Sequence, residues 1–444
     1  MVSRALLASL EKLWQDWDDT YPLPRHLAEY RQQKREQLRE LLQDKSLGIA
    51  NKHVRRSWQK VLQSACFFYP PSSQNVDHKL PLSHDESYSS DSFRVVFYHG
   101  RLVHCHLPAG ITVTPFTAQD MSGTLTDFHH NMSGYSDQGL FQLISESTLH
   151  HGYYLEVNGS FNQPIELRHL YDSLTTNSKY YSYHPYLFVQ VHDRSRVCLQ
   201  ESHRELSRDH INMMWVNSHL KLALGASAQC EHTLMSHLSA GGHLSSSQST
   251  YLQQNASYKL LELSSGIPCA ERNHHLLLAG RGSSAELSGA YYSGDHYSQK
   301  NLVVHQGVAT SSQQIYKGMA YGDGFSLFDG KMHILAGAVG SDAHLLSRGL
   351  IFDKTARMIS IPELVCGCDE VSASHGATVS EPDEEDLWYL CARGLSYAQA
   401  YDMLIQGFLM DVLLKWPSIH QDVCYLEFHR GLKAVHGESG TLLQ

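Results

Sequence analysis

The chain has 444 residues, of which 42% are hydrophobic and 18% are charged, and its formal net charge at pH 7 is -10. This content suffices for a large buried core and two or three structural units, and it excludes an intrinsically disordered chain. Acidic and basic residues are mixed without a basic stripe, which argues against a protein that binds a nucleic acid backbone.

The cysteine content and the apolar runs indicate the compartment. The nine cysteines are irregularly spaced and odd in number, which fits a reducing compartment better than a disulfide framework. The start, M-V-S-R-A-L-L-A-S-L-E-K, reaches charged residues too early for a signal peptide. No apolar run approaches the length of about 20 residues that spans a bilayer. We therefore expect a cytoplasmic protein that does not associate with a membrane.

Residues 1–92 are predicted to form an N-terminal helical region followed by a polar linker. Two hydrophobic stripes at helical spacing support the helices: Leu6, Leu10, Leu13 and Trp17, and then Leu27, Tyr30, Leu38 and Leu41. These helices are expected to pack against each other, and the alternative is that they bind a specific partner helix. The stretch of residues 70–92 is rich in Ser and Pro, which predicts a linker or a long loop.

Residues 93–380 are predicted to form the β core. Short apolar or alternating runs, such as R-V-V-F-Y, Y-L-F-V-Q-V and N-L-V-V-H, are separated by Gly, Ser, Asn and His. This texture indicates strands, with almost no helical period between them. A long series of strands without crossover helices leaves a large sandwich, a propeller or a β-solenoid. Since neither a blade signature nor a hexapeptide period is present, periodicity alone leaves all three open.

Residues 381–444 are predicted to form a C-terminal helical domain that begins with a helical hairpin. Asp383 opens an acidic first turn, which the helix N-terminus favours, and Gly394 stands where a left-handed C-terminal residue belongs. Ser396 and Gln399 form the capping box of a second helix. A short pair of capped helices therefore follows the strands directly.

Several segments of the second half of the chain resemble one known family. They are H-x-x-x-x-T-S-x-Q-x-x-Y-K-G at 305–318, F-D-G-K at 328–331, S-D-A-H at 341–344, P-E-L at 362–364, and then S-H-G-A-T-V, D-E-E-x-L-W-Y-L-x-x-R-G-L and L-I-x-G-F. Together they closely resemble the SufB/SufD family, the scaffold subunits of the SUF machinery for iron-sulfur cluster assembly. The S-H-G-A-T segment is similar to the SufD branch, since SufB proteins usually have an acidic residue at the position of Gly376. The resemblance is strong over residues 272–414 and loose over residues 94–268.

This resemblance implies a right-handed parallel β-helix flanked by N-terminal and C-terminal helical regions. It also implies a non-catalytic scaffold subunit that acts with a SufB-like subunit and a SufC-like ABC-type ATPase. A nascent iron-sulfur cluster would be shared with the partner subunit, and no tightly bound cofactor of the chain's own is expected. Whether the isolated chain forms a homodimer stays open.

His375 is the candidate cluster ligand, because it occupies the histidine of the S-H-G-A-T motif. Its small neighbours Ser374, Gly376 and Ala377 leave the imidazole accessible, and an imidazole can replace a thiolate on iron. Family members often have Cys two residues earlier, where this chain has Ala373. The resemblance therefore implies that the thiolates come from the partner subunit.

Two further site predictions accompany His375. Cys366 and Cys368 would lie on one face of a strand and could share a soft metal, although two buried and inert cysteines are the alternative. The helical hairpin is expected to dock the ATPase, with Leu404 and Phe408 held against the end of the β-helix. A cap that shields the last coil is the other interpretation, and both roles can coexist. The residues expected to face the ATPase are Asp386, Arg393, Tyr397 and Gln406.

The 30 histidines do not form a recognised metal or catalytic motif. H-E-x-x-H, C-x-x-C and G-x-S-x-G are all absent, so neither a zinc hydrolase nor a serine esterase is indicated. Most histidines are expected to be exposed or hydrogen-bonded on strands and turns. The alternative function is a β-helix carbohydrate-binding protein or polysaccharide-active enzyme. Such an enzyme needs paired carboxylates, whereas the acidic residues of the centre are scattered singly, among them Glu156, Glu166, Glu262 and Glu286.

Overall fold

The computed structural model describes residues 23–43, 92–117, 122–132, 139–149, 151–172, 180–206, 213–238, 242–265 and 267–413, with individual residues between 7 and 18. Residues 70–91 of the predicted linker lie outside the described residues, as do Leu6, Leu13 and Trp17 and residues 414–444. Within the described part, the strands form two 10-stranded sheets, here called sheet A and sheet B.

The order of strands within each sheet shows how the chain winds. Sheet A contains, in pairing order, β2 (Arg101–His106), β1 (Phe93–Tyr98), β5 (Ile165–Tyr171), β8 (Arg196–Glu205), β10 (Gln229–His237), β12 (Ser257–Ser264), β14 (Ser284–Ser293), β16 (Ser311–Ala320), β18 (Asp342–Ile351) and β20 (Ser372–Ser380). Sheet B contains β19 (Arg357–Cys366), β17 (Phe325–Ile334), β15 (His296–His305), β13 (Cys269–Leu278), β11 (Gly242–Leu252), β9 (Met213–Leu224), β7 (Tyr186–Val191), β4 (Tyr153–Val157) and β3 (Ile111–Pro115), and β6 (Tyr180–Tyr183) pairs with β9. From β7 onward successive strands alternate between the two sheets, so the chain forms a β-solenoid of about 7 turns. The expected β-helix with helical ends is confirmed.

In-register parallel pairing stacks each coil on the one before. Leu260 of β12 lies opposite Leu287 of β14, and Gln314 of β16 lies opposite Leu345 of β18. Because side chains alternate between the two faces of a strand, these residues all point between the sheets. Leu260, Leu287 and Leu345 are buried in the large hydrophobic cluster there. The solenoid interior is therefore a set of continuous side-chain columns.

The interior also holds polar side chains in matched positions. The carboxylate of Glu262 lies 2.7 Å from the Arg272 guanidinium and 3.1 Å from His274 Nε2. Burial acts to raise the pKa of Glu262, but the Arg272 guanidinium and the hydrogen bond from His274 prevail and lower it to about 2. Farther along, Gln299 donates to Asn301 and Asn301 donates to Gln314, with donor–acceptor distances of 2.7 and 3.1 Å. Paired in this way, buried polar groups escape most of the cost of leaving water.

Three helices cover the outer face of sheet B: α1 (Arg25–Gln43), α2 (Ser122–Met132) and α3 (Leu140–Ser147). The strand texture of residues 93–380 did not predict α2 and α3, which are inserted between β3 and β4. Both are short, and tertiary packing supplies what local propensity lacks. The Phe128 ring of α2 meets Phe188 of β7 edge-on at 5.4 Å, and the Phe141 ring of α3 meets Trp215 of β9 at 5.9 Å.

Helix α1 packs on α3 and sheet B as well as on Leu10 and Trp14 of the preceding segment, so the expected packing of the N-terminal helical residues on each other is one part of their environment. Leu38 shares one cluster with Phe141 and Trp215. The buried carboxylate of Glu146 in α3 lies 3.3 Å from Lys34 Nζ of α1 and 2.9 Å from Lys221 Nζ of β9. Burial lowers the pKa of Lys221 to about 8 even though this carboxylate favours its charged form. Helix α1 therefore contacts both the helix α3 and the outer face of sheet B.

The C-terminal hairpin consists of α4 (Glu384–Ala392) and α5 (Tyr397–Leu413), and its predicted caps are confirmed. The Asp383 side chain accepts a hydrogen bond from Glu385 N at 2.8 Å, and Gly394 has a φ of +99°. Ser396 N donates to Gln399 Oε1 at 2.9 Å, while Gln399 N donates to Ser396 Oγ at 3.3 Å. Local sequence therefore defined both helix starts and the turn between them.

The position of the hairpin differs from the prediction. Helix α5 packs on the outer face of sheet A, where it shares a cluster with Leu263, Tyr292 and Met319. Among the described residues no helix covers β19 and β20, so the cap interpretation is wrong for this part of the chain. The cause is that β12, β14 and β16 carry apolar residues on both faces, and the outer face needs a cover.

Among the described helices, none is both long and apolar enough to cross a membrane.

We expect the protein to lose stability as the pH falls from about 6.5 to 4. Burial lowers the pKa of His296 and His305 to about 4 and that of His184 to about 3. The unfolded chain therefore binds more protons than the folded chain in this window, and each such histidine adds about 1.4 kcal/mol per pH unit to the slope. Urea midpoints measured between pH 7.5 and 5 should show this slope, and His305→Gln should flatten it. An equal slope in the variant would contradict the assignment.

We expect Phe408→Ala to lower the free energy of unfolding by about 3 kcal/mol, because it removes a half-buried ring from the contact between α5 and sheet A. The Phe408 ring lies 4.7 Å from Lys317 Nζ, which also donates to the Phe408 carbonyl at 2.8 Å and pairs with Asp411 at 2.8 Å. Met403→Ala on the exposed face of α5 is the control and should change stability by less than about 0.5 kcal/mol. Equal urea midpoints for the two variants would show that Phe408 does not anchor the hairpin.

Candidate functional site

The last coil of the solenoid forms an open end. Strand β20 ends sheet A and pairs with β18, while β19 ends sheet B and pairs with β17. Among the described strands neither has a partner on its other side, so each presents backbone N–H and C=O groups to a further strand. The hydrophobic residues Ile359, Ile361 and Val379 are exposed along these strands. Exposed apolar side chains beside unpaired strand edges mark a surface for another chain.

His375 lies exposed in the middle of β20, in register with the buried Leu345 of β18. Residues opposite each other in parallel strands face the same side, so His375 ends an inward-facing column at the open end. Ala373, two residues earlier, packs against the interior core. Ser374 faces the other way and contacts His344, with 2.6 Å between Ser374 Oγ and His344 Nδ1. The imidazole of His375 is thus accessible at the opening of the interior.

The two predicted cysteines do not lie on one strand face. Cys366 is the last residue of β19 and is exposed, whereas Cys368 lies beyond the strand and is half-buried against the interior core. The chain turns at Gly367, whose N–H donates to the Ile334 carbonyl at 2.7 Å. A Cβ at Gly367 would lie 2.8 Å from Ala336 N, so only glycine allows this close approach.

The predicted metal ligands share one end of the molecule but do not form a chelate in this chain. Among the described residues, the set of three His, Cys, Asp or Glu donors within 4.8 Å of one another is His169, Glu201 and His203. Cys366, Cys368 and His375 do not form such a set. A ligand role for His375 therefore stays a prediction that requires donors from elsewhere.

The hairpin surface contains the predicted partner-facing residues and two aromatic rings that sequence reasoning missed. Asp386, Arg393 and Tyr397 are exposed, and Gln406 is half-buried and donates to Asp402 at 2.8 Å. The missed residues are Trp388 and Tyr389, which are 74% and 58% exposed. The Arg393 guanidinium lies over the Tyr389 ring, 5.0 Å from its centroid. The sequence D-L-W-Y-L does indicate that these two rings are exposed, because a helix that buries Leu387 turns Trp388 and Tyr389 away from the core.

The scattered carboxylates considered for a polysaccharide enzyme all contact cationic or imidazole groups. The pairs are Glu156 with His192, Glu166 with Arg94 and Arg168, Glu262 with Arg272, and Glu286 with Lys259. A glycosidase uses one carboxyl group as an acid and a second one facing it. Each of the four is thus paired with a basic or imidazole side chain, and they are not matched to one another.

Comparison with known proteins extends this description. The model of the family described as "SUF system FeS cluster assembly, SufBD core domain" matches residues 174–408, which is more than half of the chain. The chain is 27% identical over 243 residues to Protein ABCI7, chloroplastic, of Arabidopsis thaliana, which covers 53% of this chain and 50% of the relative. It is 34% identical over 146 residues to an iron-sulfur cluster assembly SufBD family protein of Mycobacterium tuberculosis, which covers 31% and 37%. It is 30% identical over 102 residues to the iron-sulfur cluster assembly protein SufD of Escherichia coli, which covers 23% and 24%.

The alignments span half or less of the length of these relatives. The residues matched by the family model include β6 through β20, α4 and most of α5. The open last coil and the exposed hairpin surface therefore both lie inside the family's core domain. By its sequence match and its β-solenoid, the chain belongs to the SufBD core domain family of the SUF system for iron-sulfur cluster assembly.

Proposed function

We propose that this chain is a non-catalytic, SufD-like scaffold subunit that acts with a SufB-like subunit and a SufC-like ABC-type ATPase. The observation that supports this proposal most is the position of His375, an exposed imidazole on an unpaired edge strand at the open end of the solenoid. A nascent cluster is the cargo of such a site and is not a resident cofactor. The site needs access, a donor and a partner surface, and the last coil offers all three.

The partner surface would form by strand addition. The outer edges of β19 and β20 present backbone groups that a second β-helix can pair with, and main-chain hydrogen bonds supply affinity in such complexes. Ile359, Ile361 and Val379 would be buried by this pairing. A SufB-like subunit is the proposed occupant, and the same edge allows a homodimer when the isolated chain lacks that subunit.

His375 would supply one ligand to a cluster held between the two subunits. An imidazole can replace a thiolate at one iron, as it does in some two-iron clusters. Since Cys366 and Cys368 do not lie with His375 in a three-donor set, the partner would supply the thiolates. Shared ligation lets the cluster leave when the two subunits separate.

The ATPase would dock on the hairpin. Trp, Tyr and Arg dominate the binding energy of most protein interfaces, and Trp388, Tyr389 and Arg393 are all exposed here. The caps of α4 and α5 fix the hairpin before binding, which reduces the ordering cost of association. Only residues 381–383 separate β20 from α4, so movement of the hairpin would act directly on the strand that carries His375.

We expect His375→Ala to leave the three-subunit complex assembled while reducing the cluster that it carries. The measurements are subunit recovery in a pull-down and iron, sulfide and visible absorption of the purified complex. His375→Cys should recover part of the cluster, because it restores a ligand. His344→Ala is the matched control, since it removes a nearby imidazole from the outer face.

Two results would separate the possible ligands. Cys366→Ser and Cys368→Ser should have milder effects than His375→Ala, and an equally severe loss would move the ligand role to these cysteines. Cluster formation at the unmutated rate in His375→Ala would show that His375 is not a ligand.

We expect Arg393→Glu to weaken capture of the ATPase without lowering the melting temperature, because the side chain is exposed and stacks on the exposed ring of Tyr389. Trp388→Ala should weaken capture further, since a large exposed ring would be lost from the interface. Arg281→Glu reverses the charge of an exposed residue in the turn between β13 and β14 and serves as the control. If Arg393→Glu and Trp388→Ala both fold normally and capture the ATPase at full affinity, the docking surface lies elsewhere.

A further inference from the structure

The outer face of sheet A repeats one pattern on two adjacent strands. Strand β16 contains I-Y-K-G-M at residues 315–319, and β18 contains L-S-R-G-L at residues 346–350. The two segments pair in parallel register, with Lys317 opposite Arg348. Because side chains alternate between the faces of a strand, each segment presents an apolar residue, a cation and a second apolar residue outward. These outward residues are Ile315, Lys317 and Met319 on β16, here called the first seat, and Leu346, Arg348 and Leu350 on β18, here called the second seat.

Helix α5 occupies the first seat. Met319 is fully buried in the cluster that α5 shares with sheet A. Lys317 is only 4% exposed, and its Nζ atom donates to the Phe408 carbonyl at 2.8 Å and lies 2.8 Å from Asp411 Oδ2. The hydrophobic effect is not directional, so an apolar helix face can pack on an apolar sheet face in more than one position. The polar contacts of Lys317 therefore select the position that α5 takes.

The second seat carries no helix in the part of the chain that the structure describes. Arg348 is exposed, and it has no hydrogen-bond or ion-pair partner among the described residues. Leu346 and Leu350 are half-buried, and Leu350 lies at the margin of the cluster under α5. A seat of the same chemistry thus lies one strand spacing, about 4.8 Å, nearer to the open end of the solenoid.

The two ends of α5 are held on different strands. Near the start of the helix, the Tyr401 ring meets Phe352 edge-on, with 5.1 Å between the ring centroids, and Phe352 directly follows β18. Near the end of the helix, Phe408 and Asp411 contact Lys317 of β16. A swing about the aromatic contact would therefore carry only the end of α5 across one strand.

We propose that α5 has two alternative positions on sheet A, and that Asp411 passes from Lys317 to Arg348 when the helix swings from the first seat to the second. The Asp411 side chain is 56% exposed, and ion pairs near the surface contribute at most about 1 kcal/mol, so a change of partner costs little. Lys317 is buried by α5 itself. Departure of the helix would return its ammonium group to water, and no unpaired buried charge would remain.

The apolar contacts would be exchanged in the same way. Met319 would lose its cover, while Leu346 and Leu350 would gain one. A helix that moves between two packed positions is a common element of conformational switches, because packed surfaces have discrete arrangements. The repeated pattern on β16 and β18 provides two such arrangements on one surface.

The swing would couple the hairpin to the strand of His375, and this part rests on the proposed function. Arg348 lies opposite Thr378 of β20, three residues after His375. Residues 381–383, which join β20 to α4, span up to about 10 Å when extended, so they allow a step of one strand spacing. An ATPase bound to α4 would drive the step, and α5 on the second seat would then pack beside β20.

The test measures the position of α5 in the full chain without the ATPase. Ketone-bearing residues at Gly407 and His104 can be spin-labelled without reaction of the nine native cysteines. A Cβ at Gly407 would meet no neighbouring side chain within 4 Å, and His104 is exposed on β2 at the first end of sheet A. Lys317→Met keeps a long side chain but cannot pair with Asp411. We expect it to lengthen the distance between the labels by about 5 Å, which is one strand spacing.

Three further variants decide the role of the charges. Arg348→Met is the matched control and should keep the wild-type distance, because the first seat is intact. Combined with Lys317→Met it should abolish the longer distance, since no cation remains to hold Asp411 on the second seat. Lys317→Gln can still donate to the Phe408 carbonyl, so it tests the charge alone and should also populate the longer distance.

Two results would overturn the proposal. One is the wild-type distance in folded Lys317→Met and Lys317→Gln chains, and the other is a longer distance that persists in the double variant. Neither measurement involves the ATPase, so the two seats are tested even if Arg393→Glu and Trp388→Ala show that the ATPase docks elsewhere.

Discussion

In-register stacking of parallel coils is the constraint on which the other features of this protein depend. Each inward residue lies on the equivalent residue of the coil before, so the register decides which side chains meet inside the solenoid. Leu260 and Leu287 stack on each other, and so do His169 and His203. A polar residue inside one coil can nevertheless lie between apolar residues of the adjoining coils, as Glu201 does between Leu167 and Leu234, and it then needs polar partners from neighbouring columns. The buried groups around Glu201 and Glu262 meet this need, and the same register places His375 at the end of its column.

The second constraint is that the outer faces of the two sheets must be covered. Both sheets have apolar residues on their outer sides in the middle of the solenoid, and helices must cover them. Sheet B receives α1, α2 and α3, with Glu146, Lys34 and Lys221 neutralising one another at the contact. Sheet A receives α5. Since the described helices lie on the flanks, none of them covers the end of the solenoid where the family motif S-H-G-A-T lies.

Sequence reasoning was most successful where the determinants were local. The caps at Asp383, Gly394 and Ser396 involve residues two to four positions apart, so their pattern can be read directly. It failed for α2 and α3, because these helices gain their stability by packing on sheet B, whose strands are distant in sequence. The β-helix itself came from family resemblance, because the coils have no fixed period. Ser257 pairs with Ser284, 27 residues later, whereas Ile165 pairs with Leu199, 34 residues later.

The buried set of His169, Glu201 and His203 was missed for the same reason. The E-x-H spacing of Glu201 and His203 indicates two groups on one strand face, but only the register of β5 adds His169. To align residues 34 positions apart, the length of the coil must be known, and the sequence contains no repeat that indicates this length. Sequence analysis therefore located the surface residues of the last coil and not the buried set of the first coils.

The two ends of the solenoid are unlike, and this asymmetry limits how the protein can assemble. At the first end, sheet A closes with the antiparallel pair β1 and β2, which has an irregular register, and sheet B closes with the short antiparallel strand β3. Irregular and short edge strands oppose further pairing. At the last end, two strands of 9 and 10 residues are unpaired among the described strands. If the last coil pairs with another solenoid as proposed, the chain would be a monofunctional monomer in the language of polymer chemistry. It would join one other solenoid end to end, and growth into a fibre would stop at that pair.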